Sequence, residues 1–101
     1  MMTTGTREEA EKIVRSLLAR KLIACANIVG PVSSLFWWKG KISGEEEFLV
    51  LMKTSADIFE RLATAIRQMH SYEVPEIIAV PIVKGDPSYL EWLSGTRGEG
   101  V

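Results

Sequence analysis

The sequence predicts an α+β domain with the ferredoxin-like, split β-α-β arrangement, a long β-hairpin and one extra helix at the carboxyl end. One observation is the order of its patterns. Segments with apolar residues three and four positions apart alternate with apolar runs of strand length, as helix, strand, strand, helix, strand and helix. Another is the length of 101 residues, which fits a single domain over residues 1–101. A short strand before the first helix completes two β-α-β units, whose right-handed crossovers place both helices on one face of an antiparallel sheet.

The first two elements occupy the amino-terminal fifth of the chain. Only residues 1–4 are available for the opening strand, so this strand is predicted to be short. A helix over residues 7–20 is predicted because Thr6 can cap a free backbone amide and Glu9 can return the bond. The apolar stripe of this helix comprises Ala10, Ile13, Val14, Leu17 and Leu18.

A long β-hairpin is predicted after the first helix. Residues 22–29 form a nearly unbroken apolar run, which is typical of a strand covered on both faces. Gly30 and Pro31 permit a bend, after which strand character continues to a turn at residues 39–41. A returning strand over residues 42–54 completes the hairpin.

The second helix follows this hairpin. Thr54 or Ser55 can cap its amino end, because a hydroxyl oxygen there can accept a bond from a free amide of the first turn. His70 and Ser71 are predicted to end the helix, since Pro75 lies just beyond them and the intervening residues are typical of a loop.

The last two elements are a strand over residues 77–83 and a short helix. Pro81 lacks an amide donor, so this strand is predicted to lie at an edge of the sheet or to carry a bulge. Asp86 and Pro87 supply a cap and a first helical position for the final helix. Residues 95–101 are predicted to fray.

The composition excludes several classes of function. Twelve basic and thirteen acidic residues nearly cancel, and no basic stripe favours nucleic acid or an anionic membrane surface. No apolar stretch approaches the roughly 20 residues of a membrane helix. The single cysteine, Cys25, is predicted to be a small buried hydrophobe, and its isolation fits the reducing cytoplasm. The glutamates at 45–47 are predicted to form a solvated edge.

Three consecutive aromatic residues predict that this chain assembles with copies of itself. Phe36, Trp37 and Trp38 lie in one strand, so successive side chains point to opposite faces, and the helices can cover only one of them. A buried aromatic side chain removes about 150–250 Å² from water. We therefore expect the hairpin to pack against neighbouring subunits.

Five segments carry a resemblance to a known family. They read KLIACANI (21–28), FWWKGKI (36–42), LMKT (51–54), HSYEVPEI (70–77) and YLEWL (89–93). Their order and spacing resemble those of the CutA divalent-cation tolerance family from Thr3 to about Leu93. The resemblance implies a ferredoxin-like subunit with a shortened first strand and a homotrimer assembled through the hairpins. It also implies a link to divalent cations, chiefly copper, and an architecture similar to trimeric PII-type signalling proteins.

His70, the only histidine, has two interpretations. Near the carboxyl end of a helix it can lie as a structural cation against the helix dipole. It can also bind a divalent metal through its imidazole, with Glu73 as the second predicted ligand and Glu76, Met69 or a neighbouring subunit completing the shell. Some members of the resembled family carry paired histidines here, where this chain has Met69 and His70.

A second candidate site is a pocket between subunits, where strand ends converge near one edge of the sheet. Its predicted residues are Trp38, Lys53, His70, Tyr72 and Glu76. The alternative interpretation is structural: Lys53 and Glu76 form a salt bridge between subunits, and Tyr72 serves as a packing ring.

The first functional hypothesis is a trimer that binds a divalent metal such as copper, contributes to metal tolerance and catalyses nothing. No Walker loop or metalloprotease motif is present, and residues 4–7 are too short for a phosphate-binding loop. The second hypothesis is a PII-like signalling module with small-molecule clefts between subunits and no metal role. The third is a structural trimer that anchors other proteins. In each case the principal partner is the chain itself, and folding requires no cofactor.

Overall fold

The computed structural model describes residues 1–96 and confirms the predicted α+β, ferredoxin-like class. Its elements are β1 (Met2–Thr4), α1 (Arg7–Ala19), β2 (Cys25–Trp38), β3 (Lys41–Lys53), a 3₁₀ turn (Ala56–Ile58), α2 (Phe59–Met69) and α3 (Pro87–Thr96). Most of the predicted frayed tail lies outside the described residues, and α3 continues one residue past the predicted start of fraying.

The sheet is antiparallel, with the strand order β1-β3-β2. Met2 pairs with Val50, and Cys25 pairs with Lys53. On the free side of β1, Ile77 forms an isolated bridge with Met2. The predicted strand over residues 77–83 is therefore wrong in extent, because β1 begins at Met2 and offers no strand for the residues beyond Ile78 to pair with.

Helix α1 begins as the sequence predicts and ends in a motif that sequence reasoning missed. The Thr6 hydroxyl oxygen accepts a bond from the Glu9 amide at 3.1 Å. At the other end, the Leu22 amide donates to the Leu17 carbonyl at 3.0 Å, and Lys21 adopts a φ of 59°. This is a Schellman motif, with a non-glycine residue in the left-handed position.

The long hairpin closes with a tight turn and contains one irregularity. Lys39 and Gly40 both have positive φ, 50° and 77°, which matches the twist of a two-residue hairpin turn. The pairing register shifts between Val29 and Val32, so β2 carries a bulge. A Cβ on Gly30, inside this bulge, would lie 2.6 Å from Cδ2 of Phe48.

The core lies between the sheet and the first two helices, and it includes Met2, Ile13, Leu17, Val50, Ile58 and Ile66. Leu18 of the predicted stripe is exposed at the end of α1, so that residue was assigned wrongly. Of the two residues predicted to cap the second helix, Ser55 lies at the N-cap position of the 3₁₀ turn without a side-chain cap bond, and the Thr54 hydroxyl donates instead to the Leu22 carbonyl at 2.8 Å. That bond ties the end of β3 to the chain that follows α1.

Helix α3 begins at its predicted cap, since the Asp86 carboxylate accepts a bond from the Tyr89 amide at 3.2 Å. Its Tyr89 hydroxyl lies 3.8 Å from the sulfur of Cys25. Cys25 is only partly buried, contrary to the predicted core position, because β2 begins there at the end of the sheet. The contact with the Cys25 thiol makes the largest contribution to raising the pKa of the Tyr89 phenol.

Candidate functional site

Polar side chains from three elements meet where α2 ends. We call this group the His70 cluster and define it as Glu9, Glu47, His70, Ser71 and Tyr72. Sequence reasoning identified His70 and Tyr72 as members of a site, and it missed the two glutamates and Ser71. The cluster joins α1, β3 and the loop after α2 through direct hydrogen bonds.

Both ring nitrogens of His70 are occupied by backbone groups. Nε2 lies 2.7 Å from the Thr3 carbonyl oxygen, which can only accept, so Nε2 carries the proton. Nδ1 accepts a bond from the Tyr72 amide at 3.0 Å. These two bonds define a neutral imidazole whose side chain is fully buried. A metal ion at His70 would have to displace one of the two bonds, because a ligand nitrogen needs its lone pair free.

Glu9 of α1 holds the loop that follows α2. Its carboxylate accepts bonds from the Ser71 amide at 2.7 Å and from the Ser71 hydroxyl at 3.0 Å. The predicted bond from the Glu9 side chain back to its own helix cap is therefore wrong. The nearer carboxylate oxygen also lies 3.7 Å from His70 Nδ1, so Glu9 is the charged group closest to the imidazole among the described contacts.

Tyr72 and Glu47 form a hydrogen-bonded polar pair within the cluster. The Tyr72 hydroxyl donates to the Glu47 carboxylate at 2.7 Å. Glu47 is buried, so the predicted solvated edge is correct for Glu45 and Glu46 and wrong for Glu47. Burial, the bond to Glu47 and nearby carboxylates raise the pKa of the Tyr72 phenol, in that order. The phenol is consequently a hydrogen-bond donor at neutral pH.

The five residues predicted to line an intersubunit pocket do not meet within one chain. His70 and Tyr72 are in contact, with ring centroids 4.7 Å apart. Lys53 donates to the side-chain oxygen of Asn27 at the far end of the hairpin from Trp38. At about 3.4 Å per residue, roughly 40 Å separates Lys53 from the tip. Glu76 is exposed near the Met1 amine.

The predicted metal ligands are likewise spread out in the described part of the chain. Glu73 is exposed, whereas His70 is buried. Residues 1–96 contain no group of three or more histidine, cysteine, aspartate or glutamate side chains arranged to hold a metal ion. A metal site built on His70 and Glu73 stays a prediction, and it would need further ligands from outside this chain or a rearrangement of the cluster.

The tip of the hairpin carries a large exposed apolar surface. Leu35, Trp37, Trp38 and Ile42 are 77%, 72%, 61% and 67% exposed. The expectation that one chain leaves large aromatic side chains uncovered is therefore confirmed. The Lys39 ammonium lies 5.9 Å from the centre of the Trp38 ring.

A cleft of about 610 Å³ lies at the opposite end of the molecule, between the end of β3, α2 and residues 77–82. Its walls are mainly apolar and include Phe59, Leu62 and Ile66. We call it the β3 cleft. Sequence reasoning placed Lys53 at a cleft between subunits, whereas here it lines a cleft within one chain. No short motif in the sequence marks this cleft, because its lining comes from four separated segments.

Comparison with known proteins agrees with the resemblance seen in the sequence. The family model described as CutA1 divalent ion tolerance protein matches residues 1–96. The divalent-cation tolerance protein CutA of Archaeoglobus fulgidus is 42% identical over 95 residues, which cover 94% of this chain and 92% of that protein. The protein of the same name from Thermus thermophilus is 37% identical over 98 residues, which cover 97% and 95%.

Solved structures agree equally well. The Archaeoglobus fulgidus protein, named periplasmic in its description, superposes with a TM-score of 0.91 at 42% identity and covers 95% of this chain and 93% of its own. The Thermus thermophilus protein superposes with a TM-score of 0.89 at 38% identity, covering 92% and 90%. A rice relative is named chloroplastic, and this chain spans about half of its length, 55%. Within residues 1–96, no helix is both long and apolar enough to cross a membrane.

Proposed function

Because this chain belongs to the CutA1 divalent ion tolerance family, we propose that it contributes to tolerance of divalent cations as a homotrimer that binds a divalent metal such as copper. The relatives are named as tolerance proteins and not as enzymes, which supports binding without catalysis. The observation that carries the assembly is the exposure of the hairpin tip.

Two segments of the chain have backbone groups without a strand partner in the described structure. They could pair with each other between subunits, which supports assembly. Strand β2 forms one edge of the sheet, so its outer backbone groups have no strand partner within residues 1–96. Residues 79–83 are exposed, apolar and of strand composition, and they also lack such a partner within residues 1–96. If the β2 edge of one subunit pairs with residues 79–83 of the next, the contact is head-to-tail, and three such contacts related by a three-fold axis close into a ring. A closed trimer leaves neither edge free.

Light scattering tests the assembly. We expect a mass of three chains at micromolar concentration. Trp37→Glu places a charge on the exposed tip and should yield monomers that remain folded by circular dichroism. Leu18→Glu is the matched control, because Leu18 is also an exposed apolar residue but lies on α1, and this variant should stay trimeric. A stable wild-type monomer would contradict the proposal.

Metal binding is proposed at His70, with Glu73 as a second ligand. The family membership supports it. The His70 ring makes binding demanding, since a metal must displace one of its two backbone hydrogen bonds. Titration calorimetry with Cu²⁺ tests it. We expect His70→Gln and Glu73→Gln each to weaken binding, while Glu11→Gln, an exposed carboxylate on α1, leaves it unchanged. Equal Cu²⁺ affinity in the wild type and all three variants would place the metal site elsewhere. The absence of Cu²⁺ binding by the wild type would contradict the metal-binding proposal.

A second candidate function is favoured by the commitment of both His70 nitrogens to the backbone. In this alternative the protein is a PII-like signalling or scaffold trimer that binds a small molecule, and metal has no role. Thermal unfolding in the presence of candidate ligands separates the two. A ligand that binds only the folded protein raises the melting temperature by mass action, whereas Cu²⁺ should then produce no specific increase.

The cytoplasm is the compartment we propose for this activity. The single free cysteine supports it, because a protein in a reducing compartment needs no disulfide. Cell fractionation tests the proposal, and recovery of the protein with periplasmic or organellar markers would contradict it.

A further inference from the structure

We propose that a groove between the end of α1 and one flank of α2 binds a phosphate monoester. We call it the α1–α2 groove, and its polar lining residues are Arg20, Glu60, Arg61, Thr64 and Gln68. Its volume of about 530 Å³ lies within the usual range of small-molecule sites. The proposal goes beyond the function proposed above, because it requires neither a bound metal nor a neighbouring subunit.

Two elements supply the polar side chains of the groove. Arg61, Thr64 and Gln68 follow one another at spacings of three and four, so they share one flank of α2 beside its buried stripe. The chain that follows α1 supplies Arg20. A ligand in the groove is therefore approached by side chains from two separate segments.

Several polar groups of the groove are available to donate hydrogen bonds. The side chains of Arg20 and Gln68 make neither a hydrogen bond nor a salt bridge to the residues that the structure describes. Arg67 donates to the Thr64 hydroxyl oxygen at 3.2 Å, which leaves the Thr64 proton to be donated. Arg61 already has a partner within the chain and adds its positive charge. Guanidinium, amide and hydroxyl donors in one groove suit an oxyanion.

Charge and geometry favour a phosphate over a carboxylate. Arg20 and Arg61 supply two positive charges, and a phosphate monoester carries about −1.5 to −2 at pH 7. A tetrahedral phosphate directs its oxygens toward donors on both sides of the groove, whereas a carboxylate has two oxygens in one plane. Glu60 is the one acidic side chain of the lining. It lies at the exposed rim, since its position on α2 is turned away from the buried stripe, and exposed charges are screened by salt.

The floor of the groove suits an organic group attached to the phosphate. Leu22 and Ala65 line the groove and are 8% and 1% exposed. A phosphate ion alone would reach the donors and leave this apolar floor uncovered, whereas the organic part of an ester covers it. No lining residue belongs to the hairpin or to residues 79–83, so the contacts proposed for assembly do not use the groove.

Calorimetric titration of the full chain with phenyl phosphate and with inorganic phosphate tests the proposal. We expect phenyl phosphate to bind more tightly than inorganic phosphate. Arg20→Gln should weaken the binding of phenyl phosphate by about ten-fold, because it removes a charge-assisted hydrogen bond. Arg15→Gln removes an exposed arginine of α1 outside the groove and should leave the affinity unchanged. Glu60→Gln should tighten binding, because it removes the carboxylate that opposes the anion.

A steric variant tests the location. Thr64→Trp fills the groove from the flank of α2 and should abolish binding; Gln68→Trp does so one turn further along if the first variant does not fold. Both positions are exposed, and circular dichroism verifies the fold of every variant. Light scattering on the same samples reports assembly, so a failure to form trimers is distinguished from a failure of the groove.

Four outcomes would each overturn the proposal. They are a folded wild type without saturable binding of phenyl phosphate, equal affinities for phenyl phosphate and inorganic phosphate, an Arg20→Gln variant that binds like Arg15→Gln, and undiminished binding in a folded tryptophan variant. A Glu60→Gln variant that binds more weakly than the wild type would also contradict an anionic ligand.

Discussion

The two halves of the long hairpin belong to one continuous ribbon and have opposite surroundings. In the proximal half, residues 25–29 pair with 49–53, and Val50 is completely buried beneath the helices. In the distal half, residues 32–38 pair with 41–47, and most large apolar side chains are exposed. Backbone pairing is continuous through both halves apart from one bulge, so the sheet itself does not account for the difference.

The difference arises because the two helices cover only part of the hairpin. Helices α1 and α2 are 13 and 11 residues long, about 20 and 17 Å, whereas the hairpin strands are 14 and 13 residues long and extend beyond them. The distal half therefore has apolar side chains without a covering layer. Cover by another chain, as proposed above, would remove these tryptophans from water.

The largest expected effect separates the two halves directly. Leu17→Ala, under the proximal half, should lower the free energy of unfolding by about 2–5 kcal/mol, because it leaves a cavity in a fully buried site. Leu35→Ala, the same substitution in the distal half, should change the free energy of unfolding of the dissociated chain by less than about 0.5 kcal/mol. Urea denaturation of both variants at low protein concentration provides the measurement.

Measuring Leu17→Ala and Leu35→Ala again at higher protein concentration tests whether neighbouring subunits cover the distal half. If the distal half is covered by neighbouring subunits, Leu35→Ala should become clearly destabilising in the assembled state, while the effect of Leu17→Ala persists at every concentration. A Leu35→Ala effect that stays near zero in a protein shown to be trimeric would mean that the neighbours do not cover this side chain.

The next effect lies at the boundary between the halves, where Tyr72 donates to Glu47. Tyr72→Phe should cost about 1.5–3 kcal/mol, because it leaves a buried carboxylate without that partner. Tyr89→Phe is the control, since Tyr89 is exposed and its hydroxyl contacts only the Cys25 thiol at 3.8 Å among the described contacts. If both variants lowered the free energy of unfolding equally, the hydrogen bond to Glu47 would contribute no more to stability than the contact of Tyr89 with the thiol.

The bond between Tyr72 and Glu47 also predicts a pH dependence. The pKa of Tyr72 is raised above its ordinary value of about 10, so the folded state holds the phenolic proton more tightly than the unfolded state. The stabilisation is complete below pH 10 and is lost as pH rises above it, because the unfolded state then binds fewer protons. The difference in stability between wild type and Tyr72→Phe should therefore narrow above pH 10 and be constant from pH 7 to 9.

A third effect compares two glycines on either side of the boundary. Gly30→Ala should cost about 1–3 kcal/mol, because the added Cβ would lie 2.6 Å from the Phe48 ring and 3.1 Å from the Glu47 carbonyl. The Cβ added by Gly44→Ala has one close contact, at 2.9 Å with the end of the exposed Leu35 side chain, which can move aside; the Ser34 carbonyl oxygen lies at an ordinary 3.7 Å. Chemical denaturation should show a cost below about 0.5 kcal/mol for Gly44→Ala.

The smallest expected change in stability should be the same in the covered and the exposed half of the hairpin region. Lys21 and Lys39 both hold left-handed backbone conformations, one below the covered half and one at the tip. Lys21→Gly and Lys39→Gly should each stabilise the fold by up to about 1 kcal/mol, since glycine adopts positive φ without the steric penalty. Thermal unfolding measures both gains. A gain at only one site would mean that its lysine side chain makes a contact that offsets the backbone strain.

Elements whose signals are local could be predicted from the sequence. The caps at Thr6 and Asp86 were predicted correctly because the bonded amide lies three residues away in each case. The cap at Thr54 was wrong because its hydroxyl bonds to Leu22, which is 32 residues away. Spacing rules do not include a competing acceptor at that distance.

The candidate site was harder to predict for the same reason. Three adjacent glutamates are typical of a solvated edge, and only the folded chain brings Tyr72 onto Glu47 and Ser71 onto Glu9. The strand over residues 77–83 was predicted from side chains, whereas a strand requires a partner backbone, which β1 supplies only up to Met1 and Met2. Composition records the tendency of a segment to pair and does not show with which chain it pairs.

The bulge between Val29 and Val32 has a consequence for the direction of every side chain beyond it. Residues paired across two strands lie on the same face of the sheet. Before the bulge, the odd-numbered residues of β2 share a face with the odd-numbered residues of β3. After the bulge, the even-numbered residues of β2 share that face; Trp38, for example, pairs with Lys41. If β2 ran through positions 30–31 without the bulge, strict alternation would turn Trp37 to the opposite face. One extra residue in mid-strand thus decides which side of the ribbon each indole occupies.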